Sequence, residues 1–171
     1  MASTYEPIAT TTLGSASSSV TLSSISSAYT DLRVVINGGI SAADYNTYLK
    51  VGNGSVDSGS NYSVTFMEDR AGSSAASGRY SNASSMQLDY YGSMSTTNST
   101  ITIDFLNYAN TTTYKSALVR YGNTTSATYS GTGALVGLWR STSAINIMTF
   151  TCGGVNFNAG TVFTIYGIKA A

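Results

Sequence analysis

Most acid–base and nucleophilic catalysis at neutral pH recruits histidine, and this chain of 171 residues has none. Without histidine there is no Ser-His-Asp or Cys-His arrangement and no imidazole ligand for a metal. Cys152 is the only cysteine, so a zinc site and an internal disulfide are both excluded. It follows the apolar segment ending Phe150-Thr151 and reads as a buried free thiol. Paired carboxylates are the remaining catalytic option, as in glycoside hydrolysis. The acids are Glu6, Asp31, Asp44, Asp57, Glu68, Asp69, Asp89 and Asp104, and only Glu68-Asp69-Arg70 forms a cluster. Neighbours on a strand point to opposite faces, so this pair converges only in a turn; a solvated turn closed by Arg70 is expected. The oxygen-rich run Asp57-Ser58-Gly59-Ser60-Asn61 lacks the spaced carboxylates of a calcium loop. No catalytic residue, metal site or cofactor is expected, and the chain is expected not to be an enzyme.

Three aromatic residues remain as candidates for binding. Tyr90, Tyr91 and Trp139 are able either to stack on a glycan or to fill an interface, since Tyr and Trp favour both places. For Trp139, in Leu135-Val136-Gly137-Leu138-Trp139-Arg140, a core or subunit-interface position is the expected one. Six Asn-X-Ser/Thr sequons, at Asn53, Asn61, Asn82, Asn98, Asn110 and Asn123, read as turn asparagines in a chain this rich in Ser and Thr.

The elements that must carry these residues are strands. Charged residues are 9% of the chain, against about 25% in ordinary domains, while apolar residues are 42%. The formal net charge is zero, and thirteen Tyr with many Val, Ile and Thr exclude a disordered chain. Segments 5–13, 19–22, 32–37, 45–51, 62–66, 86–91, 100–108, 114–121, 134–140, 144–152 and 161–168 read as strands. Ile101, Ile103 and Phe105 alternate with Thr102 and Asp104; Phe163 and Ile165 alternate with Val162, Thr164 and Tyr166. Helical patterning is nearly absent, with one short turn allowed near 41–45. Segments 52–60 and 71–85 read as exposed loops. This many short strands with Gly-rich turns predicts an all-β, jelly-roll-like antiparallel β-sandwich, a single domain over 1–171.

The charge pattern also bears on partners. The eight basic residues are scattered, so no nucleic-acid partner is expected. No apolar run approaches the roughly 20 residues of a membrane helix. The start, Met1-Ala2-Ser3-Thr4-Tyr5-Glu6, has neither a basic nor an apolar segment, so no signal peptide is expected. Unpaired sheet edges with few charges to guard them predict a homo-oligomer.

Several stretches carry a resemblance. They are Tyr5-Glu6-Pro7-Ile8-Ala9-Thr10-Thr11-Thr12-Leu13-Gly14-Ser15, Tyr29-Thr30-Asp31-Leu32-Arg33-Val34-Val35 and Phe105-Leu106-Asn107-Tyr108-Ala109-Asn110-Thr111-Thr112-Thr113-Tyr114-Lys115. Leu138-Trp139-Arg140-Ser141-Thr142-Ser143-Ala144-Ile145 and Gly160-Thr161-Val162-Phe163-Thr164-Ile165-Tyr166-Gly167-Ile168-Lys169-Ala170 complete the set. In this order they resemble a family of small virion structural proteins of marine and cyanobacterial tailed phages. The segment 72–99 diverges. The resemblance implies a protein of the virion surface, made in the bacterial host cytoplasm, and brings no catalytic residue. It implies a capsid decoration protein (a cement or knob) or, as the alternative, a tail-fibre or receptor-binding tip recognising a host surface glycan. The partners implied are further copies of the chain, a trimer by virion symmetry, and the major capsid protein or a fibre protein.

Overall fold

The computed structural model describes residues 4–43, 45–70, 74–89, 94–123 and 131–169. Among them there is no helix; the strands are β1 (Tyr5–Thr12), β2 (Ser19–Leu22), β3 (Asp31–Gly38), β4 (Thr47–Asn53), β5 (Ser55–Val56), β6 (Tyr62–Arg70), β7 (Ala76–Ala83), β8 (Met86–Gln87), β9 (Ser99–Phe105), β10 (Lys115–Asn123), β11 (Gly131–Trp139), β12 (Ile147–Cys152) and β13 (Val162–Ile168). All pairings are antiparallel. The first sheet has the order β1-β13-β3-β9-β10-β11-β6-β7. The second runs β2-β12-β4, and the short strands β5 and β8 both pair with β4.

Eight of these strands make a jelly roll. β1-β13-β3-β9 faces β2-β12-β4-β8, with β13 returning between β1 and β3 and β12 between β2 and β4. The other long strands are insertions. β6 and β7 lie between β4 and β8 in sequence, and β10 and β11 lie between β9 and β12; together they extend the first sheet beyond β9.

Period-two patterning explains the core. Leu32, Val34 and Ile36 of β3, Ile101, Ile103 and Phe105 of β9, and Phe163 and Ile165 of β13 turn inward and are fully buried. Leu49 and Val51 of β4 and Met148 and Phe150 of β12 meet them from the second sheet. Phe163 joins the layers, 5.4 Å from Phe150 and edge-on to Phe157 at 5.1 Å between ring centres. Cys152 is buried at the end of β12, and burial pushes its thiol up to about 12.

Two strand glycines exist because a large side chain crosses over them. A Cβ on Gly133 would stand 2.8 Å from Tyr121 Cε1 and closer still to Cζ and Oη; one on Gly137 would stand 2.7 Å from Met86 Cε. The Tyr121 ring passes over β11 so that its hydroxyl donates to Glu68 Oε2 at 2.8 Å. Lys115 is also inside, its Nζ donating to the carbonyls of Thr113 (2.7 Å) and Thr142 (3.1 Å).

Some sequence expectations need correction. Segment 71–85 is not wholly loop, because it contains β7. Its Ser, Ala and Gly residues hide a period-two pattern, which the partial burial of Ala76, Gly78 and Tyr80 reveals. Glu68 and Asp69 lie on strand β6 rather than in a solvated turn, so they take opposite faces: Glu68 is buried and Asp69 exposed. The strand expected at 100–108 stops at Phe105, and Tyr108 enters the core from the following turn.

Candidate functional site

Trp139 ends β11 and is 3% exposed, packed in the core with no ring face open to a sugar. Its indole N–H donates to Asp57 Oδ2 at 2.8 Å. Asp57 also accepts from the Gly59 N–H (2.7 Å) and from Asn61 Nδ2 (2.8 Å). The oxygen-rich run 57–61 is therefore a turn tied to the core. Burial pushes the Asp57 carboxyl up, but the bonds from Trp139, Asn61 and Gly59 and the charge of Lys50 outweigh it and hold it below the ordinary value. Tyr90 and Tyr91 lie outside the described residues. Among the described residues no group of three His, Cys, Asp or Glu is placed to hold a metal ion.

The adjacent acids Glu68 and Asp69 are separated onto opposite faces, and the buried one is tied to Tyr121. Glu68 is 8% exposed, bonded through one oxygen to Tyr121, and its Oε1 has no hydrogen-bond partner. This carboxylate is buried among the inserted strands, and Glu68 borders the hollow that Met67, Asp69 and Arg120 also line.

What the fold does present is the outer face of the first sheet. On the side of β1, β13, β3 and β9 this face is polar. Arg33 grips Asp104 with two bonds, Nε to Oδ1 at 2.5 Å and Nη2 to Oδ2 at 2.9 Å. Tyr5 stacks on Tyr166 at 4.7 Å, and Thr10 donates to Thr164 at 3.3 Å. The inserted strands carry a different surface. Leu118 of β10 stands directly opposite Val136 of β11, and Ala134 of β11 opposite Met67 of β6. Leu118 is 45% exposed, Val136 49% and Met67 65%. Two shallow hollows, of about 320 and 620 Å³, adjoin this stripe and share Met67, Arg120 and Ala134.

The stripe was legible in principle. In Ser116-Ala117-Leu118-Val119-Arg120, Ala117 and Val119 face inward, so Leu118 must face out. A strand that is apolar in both phases has something to cover on both faces. A single apolar residue on a surface needs no explanation, but neighbours across three adjacent strands form a contiguous patch. Burying each would contribute roughly 1.5–3 kcal/mol before the costs of association.

No family model matches this chain, and no curated protein does. Among solved structures it is similar to alginate lyase Aly36B, at 13% identity over 93% of this chain and 77% of the other, with a TM-score of 0.37. It is also similar to a mutant of that enzyme in complex with alginate tetrasaccharide, at 9% identity over 95% of this chain and 80% of the other, with a TM-score of 0.30. This corrects the expectation that the chain is not an enzyme, because the solved structures it is similar to are those of one. Likeness at this level carries no activity, substrate or catalytic residue to the present chain.

Proposed function

We propose that this chain is a structural protein of a bacteriophage particle, placed on the head surface, which associates with copies of itself through the outer face of β10, β11 and β6. The observation that carries the reading is the exposed stripe of Met67, Leu118 and Val136. A second copy suits this face as occupant. The same sheet face carries both signs of charge, Arg120 beside the stripe and Asp69 at its end, and the chain's formal net charge is zero, so copies do not repel. The phage setting rests on the resemblance of the opening and closing stretches, and the trimer on virion symmetry. The burial of Trp139 removes one of the three aromatic residues that the fibre-tip alternative would use for a glycan.

Light scattering at tens of micromolar tests the association. The wild type is expected to be oligomeric and the double variant L118E/V136E monomeric with a cooperative melt, lowered only by the repulsion of two carboxylates that stand directly opposite on the exposed face. A monomeric wild type refutes self-association. Antibody labelling of particles tests the position: label over the head supports decoration, and label at tail or fibre tips refutes it.

A further inference from the structure

The flank of the sandwich away from the apolar stripe carries two departures from regular backbone, and both border one hollow. There β1 edges the first sheet and β2 the second, and the chain crosses from one sheet to the other over residues 23–30. In β1 the pairing with β13 slips between Pro7 and Ala9, a bulge that leaves Ile8 without a partner residue. The slip turns two consecutive side chains the same way, so Ile8 and Ala9 both pack against the core. On the crossing segment Ser24 holds a φ of +57°, a left-handed backbone that few non-glycine residues adopt. The next residue fixes it: Ile25 is buried, and its N–H donates to the Asn146 carbonyl at 3.0 Å. Strain of this kind persists where the surroundings over-determine it, and it clusters at ligand sites.

The hollow measures about 300 Å³, the size of a small ligand site. Ile8, Ala9, Ile25 and the Tyr29 ring give it an apolar wall, and Ser23, Ser24 and Ser26 supply hydroxyls. Tyr29 is held in place. Its ring crosses Gly167 so closely that an added Cβ there would stand 2.6 Å from Cε1, and its hydroxyl donates to Glu6 Oε2 at 3.1 Å. The hydroxyls of Ser23 and Ser24 are exposed and bond to no described residue, and each is able to donate once and accept twice. The charges nearby are already paired: Lys169 stands 4.0 Å from Glu6 and 5.3 Å over the Tyr29 ring. Among the described residues no charged one lines the hollow. An added strand from a partner protein fits poorly, because Pro7 lacks an N–H and the bulge breaks the edge where the hollow opens. A fixed apolar wall with hydroxyls along one rim suits a neutral sugar ring, which has a C–H face and a hydroxyl edge.

We propose that this hollow binds a neutral pyranose, its C–H face on Ile8, Ile25 and Tyr29 and its hydroxyls on Ser23 and Ser24. None of these residues belongs to the self-association face, and the test does not depend on oligomeric state. The probe is a printed array of neutral oligosaccharides beside uronate-containing ones, followed by magnetic-resonance titration with the best-retained member. Neutral members are expected to be retained, with the largest shift changes at the amides of Ile8, Ala9 and Ile25. S24G is the deciding variant. Glycine takes the φ of +57° without strain, so a cooperative melt is kept, while the lost hydroxyl is expected to weaken binding at least tenfold. S23A, at an exposed side chain, is expected to weaken it likewise. An array that retains nothing, retention confined to uronate-containing members, or binding that survives both S24G and S23A overturns the proposal.

Discussion

Replacing Gly133 by Ala tests whether the inserted strands are locked by the Tyr121 ring. Gly133 sits in β11 under that ring, and an added methyl would stand 2.8 Å from Cε1 and closer to Cζ and Oη. The ring has little freedom to retreat, because its hydroxyl is bonded to Glu68 at 2.8 Å and Tyr121 is 7% exposed. Overpacking of this kind costs about 1–3 kcal/mol. Displacing the hydroxyl also takes the donor away from Oε2 of a buried carboxyl whose Oε1 already has none, for about 1.5–3 kcal/mol more. Ala gains about 0.4–1 kcal/mol by restricting the unfolded chain. A net loss of about 2–5 kcal/mol follows, and a fall in melting temperature of several degrees at this chain length. Urea unfolding of wild type, G133A and Y121F reads it directly, with m unchanged if only stability has moved. Y121F, which keeps the ring and removes the hydroxyl, should show the hydrogen-bond part alone. A G133A loss below about 1 kcal/mol would refute the reasoning, since it would mean the ring is free to move aside.

Removing residues 162–171 deletes β13, whose Phe163 and Ile165 are fully buried and whose edges serve both β1 and β3. The truncated chain is expected to show no cooperative melt by circular dichroism, and a sharp transition would contradict the central position of β13. Acid stability should depend on Asp57. Its folded carboxyl lies below the ordinary value, so its contribution is present above the unfolded value of about 3.9 and is lost as pH falls through the folded one. The urea midpoint of the wild type should therefore fall as pH drops from 5 toward 2, and D57N should be weaker at pH 7 with a flatter acid limb; equal acid slopes in the two would count against the network with Trp139.

The fold was legible wherever one face of a strand is apolar and the other is not. Thr100 to Phe105 and Val162 to Ile168 alternate cleanly, and their inward residues are those of the core. β7 was hidden because Ala76, Gly78 and Tyr80 carry its inner face with so little apolar volume that it reads as a turn segment. Phe66 supplies the missing volume from the neighbouring strand, at a place where a Cβ on Gly78 would stand 2.7 Å from its Cζ. The surfaces were harder to read than the core. Trp139 drew attention for its size, but its partner Asp57 is 82 residues away in sequence, so nothing local announced its burial. Ile8 lies on β1 and Ser24 beyond β2, and only the fold brings them to one hollow.

The place of β13 also sets an order on folding. Within this domain β1 is paired with β13, more than 140 residues later, and β3 needs the same strand for one of its two edges. Synthesis runs from β1 onward, yet β1 has no neighbour until residues 162–168 emerge. Pairings this distant close slowly, because the loop entropy must be met before the contacts form. Meanwhile β6, β10 and β11, with their apolar outer stripe, are complete before the jelly roll can shut. Nascent chains therefore pass through an interval in which an adhesive surface and an open strand edge coexist, and crowded synthesis is when this protein is most exposed to premature association.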